Sequence, residues 1–93
     1  MGEAFRAWAD SYFAQEGRRL DEFVVRRIAQ ESFFAYNKTK ITPQAFMKKL
    51  KAWCGFNKYT LNPDEHKNSG GRIMRKYEDD TEEFIFIKSN RGQ

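Results

Sequence analysis

At 93 residues the chain has the size of one domain, and its single cysteine, Cys54, excludes an internal disulfide and fits a reducing cytoplasm. Nine Phe, four Tyr and two Trp supply core material that a disordered tail lacks. The formal net charge of +4 is mild but unevenly spread: Arg18 to Lys51 holds nine Arg/Lys against three Asp/Glu, and Glu78 to Glu83 holds five acids in six residues.

Phe5, Trp8, Ala9, Tyr12 and Phe13 recur at helical spacing and predict a first helix ending near Gly17. Gly17-Arg18-Arg19 reads as a short link. Asp21 is the expected cap of a second helix, with Leu20 as its hydrophobic staple. Val24, Val25, Ile28, Ala29, Ser32, Phe33 and Tyr36 form the predicted inner face of that helix. Phe23 and Phe34, about three turns apart, fall on a second apolar side. Asn37-Lys38-Thr39 reads as a turn, and Lys40-Ile41 as a short strand.

The third predicted helix opens at Thr42-Pro43-Gln44, a side-chain cap with proline where its missing N–H costs nothing. Phe46, Met47, Leu50, Trp53 and Cys54 make its apolar stripe, and it should stop near Gly55. Lys48 points away from that stripe, flanked by Gln44 and Lys51, with Lys49 nearer the edge. No acid occurs between Ile41 and Leu61, so these lysines have no local i,i+4 partners.

Tyr59-Thr60-Leu61 reads as a short extended piece ended by Asn62-Pro63. Asp64 to Gly71 is a polar loop. Arg72 to Glu78 and Thr81 to Lys88 then predict a hairpin about Asp79-Asp80, which sets Met74 opposite Ile85, Arg75 opposite Phe84 and Lys76 opposite Glu83. Ile85, Ile87 and Met74 are the expected core side.

This order of elements predicts an α+β fold, a small winged helix-turn-helix with a three-helix core and an antiparallel β-hairpin wing, in one domain over residues 1–93. Such a fold commonly holds nucleic acid. The expected contacts are Lys48, Lys51, Lys49 and Gln44, with Arg72, Arg75 and Lys76 from the hairpin. Tyr77, Phe84 or Phe86 are candidates to stack on a base. Lysine is a point charge without arginine's bidentate fork, so phosphate binding with little sequence preference follows. Single- and double-stranded DNA stay equally open. Arg18, Arg19, Arg26 and Arg27 read as a solvated face. The acidic tip should point away from phosphates or meet a basic protein.

Catalysis finds little support. Cys54 lies on the apolar stripe and reads as a small core residue. His66 lacks further ligands at metal-binding spacing, and Ser69-Gly70-Gly71 lacks the ending of a phosphate loop. Neither an enzyme activity, a metal nor a cofactor is expected. No apolar run approaches the roughly 20 residues that span a bilayer, and the start has no apolar signal core, so no membrane partner is expected.

Five pieces of the chain resemble the C-terminal domain of phage- and plasmid-type primase-helicases of mobile elements, notably of the Bacteroides group. They are Phe5 to Phe13, Leu50 to Cys54 (Leu-Lys-Ala-Trp-Cys), Tyr59 to Pro63 (Tyr-Thr-Leu-Asn-Pro), Gly71 to Lys76 and Glu82 to Ile87. The resemblance implies a cytoplasmic winged-helix accessory module that engages DNA during replication, excised from or C-terminal in a larger protein. Its partners would be DNA and the helicase or primase domains. The ATPase and primase motifs of that family are absent from this sequence. Two alternatives are a protein–protein docking module of the same machinery, using Phe23, Phe34 and the acidic tip, and a free-standing phage or plasmid transcription regulator. The latter needs a dimer and a spaced operator, and no coiled-coil heptad appears.

Overall fold

The computed structural model describes residues 2–15 and 18–90. Among them are three α-helices and a four-stranded antiparallel sheet, an α+β arrangement. Helix α1 (Glu3–Ala9) runs into a wider π-helical turn (Asp10–Gln15). The wider turn brings Phe13 beneath Trp8, with ring centroids 5.5 Å apart. The expected helix end at Gly17 lies outside the described residues.

Strand β1 (Phe23–Val25) follows, then α2 (Arg26–Asn37) and α3 (Pro43–Phe56). A short strand β2 (Thr60–Leu61), a single turn at Asp64–His66 and the hairpin β3 (Ile73–Tyr77) and β4 (Asp80–Lys88) complete the chain. Strand β4 is central. Its one edge pairs with β1, and its other edge with β3 and then β2. Asn62 bridges the gap between these two: its N–H donates to the Phe86 carbonyl at 2.7 Å, and its Oδ1 accepts from the Phe86 N–H at 2.9 Å. It adopts a left-handed conformation (φ 50°), which asparagine tolerates better than most residues.

Several expectations are corrected here. Helix α2 starts at Arg26 rather than at Asp21, and its cap position is Val25, with no side-chain cap. The Asp21 carboxylate instead accepts from the N–H and hydroxyl of Ser89. Phe23, Val24 and Val25 are consecutive apolar residues, a run that suits a strand buried on both faces as well as a broad helix face. Pairing with the β4 edge decides for the strand. Phe23 and Phe34 therefore share no helix, and Tyr36, expected inside, is 55% exposed. Lys40-Ile41 forms no strand, and the Ile41 carbonyl accepts from Gln30 Nε2 at 2.6 Å instead. Gly55 lies within α3, one residue before its end.

The helices pack on one sheet face. Phe5, Trp8, Phe33 and Phe46 meet edge-on there, above Ile85 and Ile87, with Leu50, Trp53 and Cys54 beside them. Both indoles are satisfied: Trp8 Nε1 donates to Ser32 at 3.0 Å, and Trp53 Nε1 to Asp10 at 2.9 Å. The hairpin turns at Glu78-Asp79 instead of Asp79-Asp80, so Met74 faces Glu83, Arg75 faces Glu82 and Lys76 faces Thr81. A slip of two along β4 preserves face identity, so Ile85 and Ile87 are core as expected. Met74 shares their side but stays 42% exposed, at the edge strand beyond the helical layer.

Cys54 is core as expected, and burial pushes its thiol up from 9.0 to about 12. The folded state thus retains a proton that the unfolded chain releases, so this group lowers stability as pH rises from about 9 to 12. Cys54→Ala should flatten that decline in denaturant midpoints measured across the same pH range. A decline of equal steepness in both proteins would show that Cys54 is not its cause.

Candidate nucleic-acid interface

The surface of α3 follows from its cap and its period. Thr42 Oγ1 accepts from the Ala45 N–H at 3.1 Å and Pro43 opens the helix, which fixes where the 3.6-residue repeat begins. Phe46, Leu50, Trp53 and Cys54 then turn inward and are buried. Gln44, Lys48, Lys51, Ala52 and Gly55 lie on the outer side and are exposed. Between the lysines this side carries small residues, which leaves the helix backbone approachable. Among the described residues, neither Lys48 nor Lys51 has a salt bridge. Lys49 is half-buried on the flank, where it lines one cleft with Phe5, Phe33 and Ile41 and another with Ala45, Lys48 and Ala52.

Beside Lys51 a groove of about 450 Å³ runs between the C-terminal half of α3 and the segment from Tyr59 to Asn62. Lys67 and Gly71 close its far side. Lys67 Nζ lies 3.1 Å from Asp64, whose side chain is 97% exposed. Such a surface pair contributes little and yields readily to a phosphate. Gly71 takes a positive φ of 82°, and Asn68 closes the loop by accepting from the N–H groups of Gly70 and Arg72. The loop thereby presents exposed Arg72 at the start of β3, next to this groove. Lys67 carried no periodic or motif signal, so only the fold could reveal it.

The remaining hairpin candidates divide between the two sheet faces. Lys76 alternates onto the helix side with Met74, whereas Arg75 projects to the opposite side with Ile73 and Tyr77. Arg75 therefore does not join the α3 lysines. Its guanidinium rests 4.1 Å from the Phe23 ring centroid. Phe84 is buried in a second small core with Val25 and Ile73, and is unavailable for stacking, whereas Tyr77 and Phe86 are half-buried around it.

The acidic stretch is partly neutralised within the fold. Arg26 Nε lies 3.1 Å from Glu83, and Arg27 reaches Glu82 at 2.7 Å and Glu31 at 3.3 Å. Arg27's hydrogen bonds hold the Glu82 carboxyl below the ordinary carboxylate range. Arg26 and Arg27 are thus ion-paired; Arg27 stays exposed as expected, whereas Arg26 is half-buried. Lys76 does not meet Glu83, because the shifted register gives that carboxylate to Arg26. Glu78, Asp79 and Asp80 stay exposed at the tip.

No cluster of three or more metal-ligating side chains occurs among the described residues, and His66 packs against Phe23 and Phe86. No described helix is long and apolar enough to cross a membrane. Compared with protein-family models, curated proteins and solved structures, the chain matches none.

Proposed function

We propose that the chain is a winged helix-turn-helix module that binds DNA mainly through its phosphates, as an accessory part of a replicative primase-helicase acting in the cytoplasm. The order helix, strand, helix, helix, hairpin supports the winged reading, with β1 lying on the free edge of the hairpin's second strand. In this reading α3 faces the duplex and β3–β4 is the wing. The observation that carries the proposal is the acid-free outer side of α3, where Lys48 and Lys51 stand exposed and Lys51 borders the groove holding Lys67. Ammonium groups at these positions neutralise phosphates without reading bases, and Gln44 is the one good base reader on the helix.

Amide chemical shifts test this directly. Titration with two duplexes of unrelated sequence is expected to move the signals of Gln44, Lys48, Lys51, Ala52 and Lys67 for both. Shifts elsewhere only, or none, would remove the proposal.

A second reading, docking to a protein of the same machinery, is favoured by one feature. Phe34 is 40% exposed and lines a cleft of about 270 Å³ with Arg27, Lys40 and Ile41. Phe34→Ser leaving fold and DNA binding intact but abolishing helicase association would favour docking.

A further inference from the structure

Alternation along β4 sends Ile85 and Ile87 beneath the helices and Phe84 and Phe86 to the other sheet face. On that face Phe23, Phe86 and His66 form a three-ring cluster. Their centroids lie 4.9 Å apart for Phe23 and Phe86, 4.7 Å for His66 and Phe86, and 5.1 Å for Phe23 and His66. All three remain half-buried, and Arg75, lying over Phe23, is exposed. Ile28, in the first turn of α2, packs with Phe23 and Phe86 against the small core of Val25, Ile73 and Phe84, while the buried side chains of the described helices belong to the main core.

The cations of this face are Arg75 and exposed Lys88, which alternates onto the same side as Phe86; of its acids, Glu82 is already held by Arg27, and Glu65, exposed and 4.0 Å from His66, sits beside that ring. Asp80 sits away from the rings, at the hairpin end opposite Tyr77. Flat aromatic surface combined with a planar guanidinium and a lysine is the combination that holds unpaired bases and their backbone. Paired bases keep their faces stacked inside the duplex and cannot use it.

We propose that this sheet face is a second binding surface, for single-stranded DNA. One base stacks on Arg75, whose guanidinium is backed by Phe23, a neighbouring base packs against His66 and Phe86, and Lys88 meets an intervening phosphate. The assignment of DNA as the partner rests on the proposed function, but the surface is distinct from the α3 lysines.

The test measures the affinity of the intact chain for a short oligo-dT and for a mixed duplex at low salt, by fluorescence anisotropy. Arg75→Ala is expected to weaken oligo-dT binding about tenfold while duplex binding changes by less than about twofold. Arg75→Lys keeps the charge but loses the planar stack, and should behave like Arg75→Ala. The pair Lys48→Gln and Lys51→Gln should weaken duplex binding more than oligo-dT binding. Circular dichroism confirms folding of each variant; Arg75→Ala is exposed on an edge strand, and Lys88→Gln is a second probe if it fails to fold. Full rescue by Arg75→Lys, equal losses for both ligands, no loss, or a wild-type chain that ignores oligo-dT would each overturn this surface. If duplex binding survives such a result, the proposed function stands and this inference alone falls. Absence of duplex binding in the wild-type chain removes the proposed function itself.

Discussion

Phe46→Ala is expected to lower stability by about 3–5 kcal/mol, enough to drop the melting temperature by roughly 12 °C or more. Phe46 is fully buried, and its ring meets Phe5 at 5.8 Å, Trp8 at 5.7 Å and Phe33 at 6.4 Å. It joins α3 to both other helices, so its removal leaves a cavity at their junction. Met74→Ala is the matching control. Met74 lies on the core side of the hairpin by register but is 42% exposed, so its truncation should cost less than about 1 kcal/mol. Denaturant melts of the two variants decide. Similar losses would mean that the helical layer extends over β3.

Reversing charge with Lys48→Glu and Lys51→Glu should reduce duplex affinity by at least roughly tenfold at low salt, and by similar factors for unrelated sequences. Both side chains are exposed and neither forms a salt bridge among the described residues, so stability should change by less than about 0.5 kcal/mol. Gel shift or anisotropy with several duplexes measures the first quantity, and thermal melts the second. A loss confined to one sequence would point to base reading through Gln44 instead of phosphate neutralisation. Lys49→Gln alone should matter less, because Lys49 is half-buried whereas Lys48 and Lys51 are exposed.

How far these features could be read from the residues depended on whether their causes are local. Helix α3 was legible because its cap, its opening proline and its apolar stripe lie within one stretch, and the exposure of Gln44, Lys48 and Lys51 follows from the same period. Strand β1 was not, because Phe23-Val24-Val25 fits two periods at once. The partner that decides it, Phe84 to Phe86, lies far along the chain. The acidic stretch looked like a uniform repulsive tip for the same reason: Arg26 and Arg27 reach Glu83 and Glu82 through the packing of α2 against β4. The hairpin turn shifted by one residue because neither Glu78-Asp79 nor Asp79-Asp80 carries the strong signal of Asn-Gly. That shift changed every cross-strand partner yet left the faces unchanged, which is why Ile85 and Ile87 were placed correctly while the partner of Lys76 was not. Lys67 joining Lys51, and Arg75 leaving the lysine set for Phe23, depend on tertiary placement alone.

The salt dependence of duplex affinity tests phosphate binding by α3 most directly. The logarithm of the association constant should fall linearly with the logarithm of salt concentration, with a slope of about −0.9 for each phosphate neutralised. Removing two contacts with Lys48→Gln and Lys51→Gln should make that slope shallower by about 1.8. A slope left unchanged by the pair of substitutions would contradict the assignment of these lysines to the phosphate backbone.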